Sequence, residues 1–248
     1  MSKQNIISII VVVRNEVITI AKTLKNIIDQ DFKDFELIVI DGASTDGTID
    51  IIQSFNEDIN IFISEKDKNL YEAMNKGIDL ASSEWVLFMN SNDFFYDKNT
   101  LAYLNNKIRG NEGKSVFIGN SLIKYPNYDI EISASKNPLQ FVHQATLYKK
   151  KLHEIYGSYL VDKTITISDY IFFNQVPADE IQIMDQIISI NTSGGISSAA
   201  DSLFQKVSYD YSSKKISRIK FILILMFYDY YKFCKNFYLN FKSLLIKK

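Results

Sequence analysis

Short, almost wholly apolar runs alternate with amphipathic stretches through the first hundred residues. Residues 7–13, 35–41, 59–64 and 85–89 form the runs, and runs of this length between helical patterns predict buried parallel strands. Ile20, Leu24, Ile27 and Ile28 recur at helical spacing after Asn15, a candidate helix cap. Thr48 opens a second helical stretch through Ile51, Ile52 and Phe55, after the turn chemistry of Gly42–Gly47. Residues 70–80 predict a third helix with Leu70, Met74, Gly77 and Ile78 on its inner face. The repeated order of strand, helix and strand predicts an α/β fold, a mostly parallel twisted sheet with helices on both faces. After Asp93 the pattern weakens.

Two acids end two of these strands, Asp41 and Asp93. Open α/β sheets bind ligands outside the carboxyl ends of their strands, so both acids are directed to one crevice. A carboxylate there can hold a divalent cation or hydrogen-bond a base or a sugar.

Composition narrows the classes. The chain has 248 residues and 46% hydrophobic content, a globular balance rather than a disordered one. Its single cysteine, Cys234, excludes an internal disulfide framework and a cysteine-based zinc site. The apolar start at Ile6–Val13 is too short to cross a membrane and lacks a cleavage site, so a strand is expected there and not a signal peptide. From Lys214 onward nine basic residues face the single acid Asp229, a balance of +8, which leaves −9 for the rest of a chain whose net charge is −1. A basic tail on an acidic body suits an anionic surface.

Four segments come in succession: Ile9–Glu16, Val39–Thr48, Glu65–Gly77 and Glu84–Asp93. They are followed by His143-Gln144-Ala145, Ser168-Asp169-Tyr170 and Gly194–Ser198. In order and spacing they resemble the family 2 glycosyltransferases of the GT-A fold, the group that builds bacterial surface polysaccharides. The resemblance covers about residues 5–200. It implies a GT-A domain over 1–205 and leaves 206–248 as a basic, aromatic, amphipathic helical tail.

The resemblance also implies roles. Asp41 would hydrogen-bond the nucleotide base, with Arg14 packed beside it. Val13, Asn15, Glu16, Ser44, Asp67, Lys68, Asn75 and Asn92 would line the nucleotide site. Asp93 would bind Mn²⁺ or Mg²⁺ bridging the donor diphosphate, although Asn92 stands where many relatives carry a second Asp. Asp169 would be the catalytic base and His143 a substrate contact. Asn120 receives no role. The implied activity is inverting, metal-dependent transfer from a nucleotide-diphospho-sugar, a UDP-sugar foremost, to a saccharide or lipid-linked acceptor. No nucleic acid is expected as partner, and a homodimer is open. The implied location is cytoplasmic, on the inner face of the cell membrane.

Plainer readings stand beside these. Asp41 can begin a turn, and Asp169 can cap a helix over Tyr170–Asn174. His143 can be a satisfied core residue, and His153 reads as part of a charged helix. Lys76 and Gly77 can be helix surface and close packing. Gly194-Gly195 is either a closing loop or a plain turn. A nucleotidyltransferase of related fold would carry a Gly-rich signature after the first strand, which Val12–Glu16 lacks. A non-catalytic subunit is the rival that Asn92 and Asn120 keep open. In the tail, Ile216, Ile219, Leu223, Met226, Phe227, Tyr230, Phe237, Phe241, Leu244 and Leu245 form a helical stripe among lysines. That stripe suits a membrane interface, or else packing on the body or a partner.

Overall fold

The computed structural model describes residues 6–193 and 200–227. By its contacts the chain divides into one unit ending at Ser193 and a second beginning at Gly194.

The first unit opens as the apolar pattern predicts. Strand β1 (Ile7–Val13) is buried throughout. Helix α1 (Ile20–Ile28) follows, with Thr19 and not Asn15 at its N-cap position, and it buries Ile20, Leu24 and Ile27. Asn15 instead takes a left-handed conformation at φ 52 in the connecting loop. Strand β2 (Phe35–Asp41), helix α2 (Thr48–Gln53), strand β3 (Ile61–Ser64) and helix α3 (Leu70–Leu80) complete the alternation. The third strand starts two residues later than its apolar run because the Asn60 side chain accepts from Leu37 N at 2.7 Å and ends the ladder there. Asn69 caps α3 by accepting from Glu72 N at 3.0 Å. Strand β4 (Trp85–Phe88) pairs parallel to β1.

Beyond β4 the sheet becomes mixed. Strand β5 (Phe94–Phe95), helix α4 (Thr100–Arg109), strand β6 (Val116–Lys124) and strand β7 (Asp129–Ile132) come next. Strands β8 (Ser135–Lys136) and β9 (Leu139–Gln140) form a small hairpin. A 3₁₀ turn (His143–Ala145) leads into β10 (Thr146–Lys149), α5 (Leu152–Tyr156), α6 (Ser168–Phe173) and β11 (Ile181–Thr192). The large sheet runs β3-β2-β1-β4-β10-β6-β11-β5, with β7 on β6. Its first four strands are parallel, β10 is antiparallel to both neighbours, and β11 returns parallel to β6.

Two cores flank the sheet. One packs α1 and α4 on the face of Ile9, Val11, Leu37 and Leu87; the other packs α3, α5 and α6 on the face of Ile10, Ile38, Val86 and Phe88. Gly77 is required at the α3–β1 contact. A methyl there would stand 2.4 Å from Ile10 Cγ2, and overpacking of this kind costs about 1–3 kcal/mol. Buried Glu36 ties the sheet to the α3–β4 turn. It accepts from Ser8 Oγ, from Ser82 N at 2.6 Å and from Ser83 N at 3.1 Å.

The second unit begins, among the described residues, with helix α7 (Ala200–Ser212). A further helical stretch covers 218–227. Tyr211 stacks on Phe221 with ring centroids 4.5 Å apart. Ile219, Met226 and Phe227 are 72%, 64% and 72% exposed. The predicted stripe from Tyr230 onward and the Gly194-Gly195 pair lie outside the described residues.

Candidate active site

The carboxyl ends of β1, β2 and β4 meet at a rim laced by short polar side chains. Asn15 N donates to Ser44 Oγ at 2.7 Å, and Thr45 N donates back to Asn15 Oδ1 at 2.9 Å. Glu16 N donates to Thr48 Oγ1 at 2.8 Å, and Val17 N to Asp46 Oδ2 at 3.1 Å. Val13 is buried at the strand end, and its carbonyl accepts from Gly42 N at 2.9 Å. Arg14 is exposed and lies across Gly42, where an added methyl would stand 3.2 Å from Arg14 Cδ.

Asp41 sits beneath this rim and does not face outward. It is 0% exposed. Its Oδ2 accepts from Ser44 N at 2.9 Å and from Ser64 Oγ at 2.6 Å, and its Oδ1 accepts from Ser44 Oγ. These three bonds fix the Ser44 loop on Asp41 and leave one carboxylate lone pair uncommitted. Both ends of the Asn75 amide clamp the backbone of Tyr159, at 2.9 and 3.0 Å. Lys68 pairs with Glu72 at 3.2 Å on the exposed side of α3.

Asp67 has a different environment. Its Oδ1 binds Lys76 Nζ at 2.6 Å, and that ammonium also holds Glu65 at 2.6 Å. Its Oδ2 is buried and, among the described residues, has no partner. It is thus a buried carboxylate oxygen with unused accepting capacity, close in sequence to the end of β3.

At the end of β4, Ser91 and Asn92 form a tight turn, with Asn92 left-handed at φ 69. Asn92 N donates to Thr23 Oγ1 at 3.0 Å. Asp93 follows, 9% exposed, with Gln144 Nε2 donating to its Oδ2 at 2.7 Å. Burial pushes the Asp93 carboxyl up to about 7, against the pull of Asn191, Gln144 and the Thr192 backbone, and the charge of Glu16 adds to the rise. Glu16 itself accepts from Thr19 Oγ1 at 2.7 Å.

The described residues hold no group of three or more His, Cys, Asp or Glu side chains placed to cage a metal. The site at Asp93 offers one carboxylate, and Asn90, whose carbonyl accepts from Asp93 N at 3.1 Å, has a buried Oδ1 with no partner among the described residues. Such a set fits a hard divalent cation that draws its remaining ligands from substrate phosphates, the usual manner for Mg²⁺.

Asp169 lies in the first turn of α6, whose N-cap is Ile167, so Asp169 does not cap the helix. Its side chain is 22% exposed. Tyr71 donates to its Oδ1 at 2.9 Å. His143 faces its Oδ2 at 3.6 Å and is only 9% exposed. Burial pushes the His143 imidazole down to about 4, with the Asp169 charge opposing. His143 therefore touches the expected base, and its two ring nitrogens are turned to Asp169 and Tyr159 and not to an open cleft. Gln144, to which no role was given, is the direct partner of Asp93; its place inside the His143-Gln144-Ala145 motif was the available signal. One 3₁₀ turn thus bonds Asp93 and faces Asp169, through adjacent residues.

The model of glycosyl transferase family 2 matches residues 8–167. The chain belongs to glycosyl transferase family 2. A PGL/p-HBAD biosynthesis glycosyltransferase of Mycobacterium bovis is 32% identical over 159 residues, 61% of this chain and 62% of that protein. A GalNAc(5)-diNAcBac-PP-undecaprenol beta-1,3-glucosyltransferase of Campylobacter jejuni is 35% identical over 122 residues, 48% of this chain and 38% of that protein. The chain thus spans less than two thirds of these relatives. The GT-A fold is shared with S. aureus TarS in complex with UDP-GlcNAc, at TM-score 0.68 and 18% identity, covering 82% of this chain and 64% of that one. It is shared too with a mannosyltransferase from Pyrobaculum calidifontis in complex with GDP-Man and Mn²⁺, at TM-score 0.64 and 19% identity, covering 86% and 65%.

Proposed function

We propose that this chain is an inverting, divalent-metal-dependent glycosyltransferase using a nucleotide-diphospho-sugar, with a UDP-sugar as the preferred donor. The acceptor is a saccharide or lipid-linked saccharide of a surface glycan. The observation that carries the reading is the 3₁₀ turn His143–Ala145, which binds Asp93 through Gln144 and faces Asp169 through His143. That shared turn supports a reading in which Asp93 binds the metal and Asp169 acts as the base of one site.

The residues divide the work. Arg14 offers a guanidinium plane to the base, and the free Oδ2 of Asp67 offers an acceptor to the nucleoside. Asp93 would hold the cation, which supplies charge to offset the departing diphosphate. Asp169 is partly exposed and within reach of an incoming hydroxyl, so it takes the acceptor's proton as that oxygen attacks the anomeric carbon. Tyr71 fixes the orientation of the carboxylate. A single displacement inverts the anomeric centre and needs no covalent enzyme intermediate.

Attachment to an anionic membrane surface is supported by the exposed apolar residues of 218–227 beside the +8 balance of the tail. No helix among the described residues is long and apolar enough to cross a membrane.

The test is Asp169→Asn, which keeps the shape and cannot take the proton. UDP release should fall by at least a hundredfold while a thermal-shift screen with UDP-sugars and Mn²⁺ still registers binding. Turnover near the wild-type level excludes the base role.

A further inference from the structure

A buried hydrogen-bonded chain runs inward from Asp169. His143 Nδ1 stands 3.6 Å from Asp169 Oδ2. His143 Nε2 is 3.3 Å from the Tyr159 hydroxyl, which is 2.8 Å from the Tyr148 hydroxyl. That hydroxyl is 3.1 Å from His153 Nε2, and His153 Nδ1 is 3.2 Å from the Gly157 carbonyl oxygen. His153, which the sequence pattern places on a charged helix, is instead the far end of this chain.

All four linking side chains are neutral. Burial pushes His143 and His153 down to about 4 and drives both phenols, Tyr148 and Tyr159, upward. Each neutral group carries one hydrogen to donate. The carbonyl at one end and the ionised carboxylate at the other only accept. Four hydrogens therefore serve five links, and one link must lack its hydrogen.

Both ends only accept, so the distances decide which: Gly157 O lies within hydrogen-bond reach of His153 Nδ1 at 3.2 Å and Asp169 Oδ2 stands at 3.6 Å from His143 Nδ1, so His153 carries its hydrogen on Nδ1 and leaves Nε2 bare. Tyr148 then donates to His153, and its oxygen accepts from Tyr159. The Tyr159 oxygen in turn accepts from His143 Nε2–H. His143 Nδ1 is left bare, aimed at Asp169. The four filled links measure 2.8 to 3.3 Å, and the fifth, at 3.6 Å, is too long for a hydrogen bond.

We propose that this chain holds the Nδ1 lone pair of His143 against Asp169, so that the proton arriving on Asp169 during transfer completes the missing hydrogen bond. The proposal rests on Asp169 as the base. As the acceptor oxygen bonds to the anomeric carbon, its proton passes to Asp169 Oδ2. The bond from that carbon to the donor's diphosphate oxygen breaks, and its electron pair leaves on the diphosphate. The new O–H of Asp169 donates to His143 Nδ1. The proton later leaves to water through the partly exposed carboxyl. His143 is thus a positioning residue, and Tyr159, Tyr148 and His153 set its tautomer. Tyr71, on the other carboxylate oxygen, keeps Oδ2 turned to His143. Lys150 is the remaining charge acting on the chain, at His153.

The experiment is ¹⁵N NMR of the histidine rings in the full chain, with Tyr148→Phe as the variant. Tyr148 hydrogen-bonds neither His143 nor Asp169. Its loss frees the Tyr159 hydroxyl to donate to His143 Nε2, which forces the hydrogen to Nδ1. The expected result is an Nε2–H His143 in the wild type and an Nδ1–H His143 in the variant. The variant's kcat should fall about tenfold, with the donor KM unchanged, because Asp169 then faces a donor. An Nδ1–H His143 in the wild type, or an unchanged tautomer in the variant, overturns the proposal. So does a variant kcat within twofold of wild type. If Tyr148→Phe does not fold, the wild-type spectrum alone decides. Retained turnover in Asp169→Asn would break the base reading instead, and would leave the tautomer result standing.

Discussion

Replacing Asp41 by alanine separates a structural acid from a base-reading one. The wild-type carboxylate is wholly buried and accepts from three donors: Ser44 N, Ser44 Oγ and Ser64 Oγ. The two hydroxyls can turn toward other acceptors, but the Ser44 amide is fixed. A buried donor left without its partner costs about 1–3 kcal/mol, and bonds to a charged acceptor lie at the upper end. One unrelieved amide and two partly relieved hydroxyls give about 3–4 kcal/mol for Asp41→Ala. In a chain of this length each kcal/mol moves Tm by about 2–4 °C, so the drop should be about 6–16 °C. Scanning calorimetry without ligand reads it directly, and titration of UDP into folded protein at low temperature reads the other role. A loop-fixing Asp41 predicts the loss of Tm, with UDP affinity reduced only as the Ser44 loop loosens. An unchanged Tm with UDP binding abolished would refute the reasoning and return Asp41 to the base.

Asp93→Ala should abolish the Mn²⁺-dependent part of donor binding, and Gln144→Ala should weaken it, both read by thermal shift with and without metal; an unaltered metal response in Asp93→Ala removes the metal assignment. Glu36 is held below its ordinary 4.5: burial raises it, but the bonds from Ser8, Ser82 and Ser83 outweigh that effect. A lowered folded-state value gives stability above 4.5 that disappears as pH falls through the folded value, so the Tm gap between wild type and Glu36→Gln should narrow on acidification and stay flat above pH 6. Truncation before Lys214 should remove co-sedimentation with anionic liposomes, and salt should weaken binding of the full chain. Equal partitioning of both forms would assign the helix to packing.

The first half of the fold was legible because β1, β2 and β4 are buried on both faces and read as continuous apolar runs, while α1 and α3 carry clean helical spacing. The second half was not. Strands β7 to β9 are two to four residues long and largely exposed, so little periodicity marks them. Asp93 and Asp169 were visible as acids in a recognisable order. The neighbours that hold them were hidden, because Gln144, Tyr71 and Tyr159 come from distant stretches and have ordinary identities. Asp41 and Asn75 show the converse. Both stand in the motif, yet their polar atoms are turned to backbone and serine partners that only the fold reveals. His153 failed for a related reason: its surroundings in sequence are charged, while its ring stacks on Phe172 with centroids 4.3 Å apart.

The rim at the ends of β1 and β2 has a consequence for recombination between relatives. Its shape is set by Asn15, Ser44, Asp46 and Thr48, each bonded to the backbone of the other loop or its own. Segments 14–19 and 42–48, some thirty residues apart in the chain, therefore form one unit of exchange. A chimera that crosses over between them inherits half of each bond. A chimera that crosses over after Thr48 carries the rim intact and can take a new second half without disturbing it.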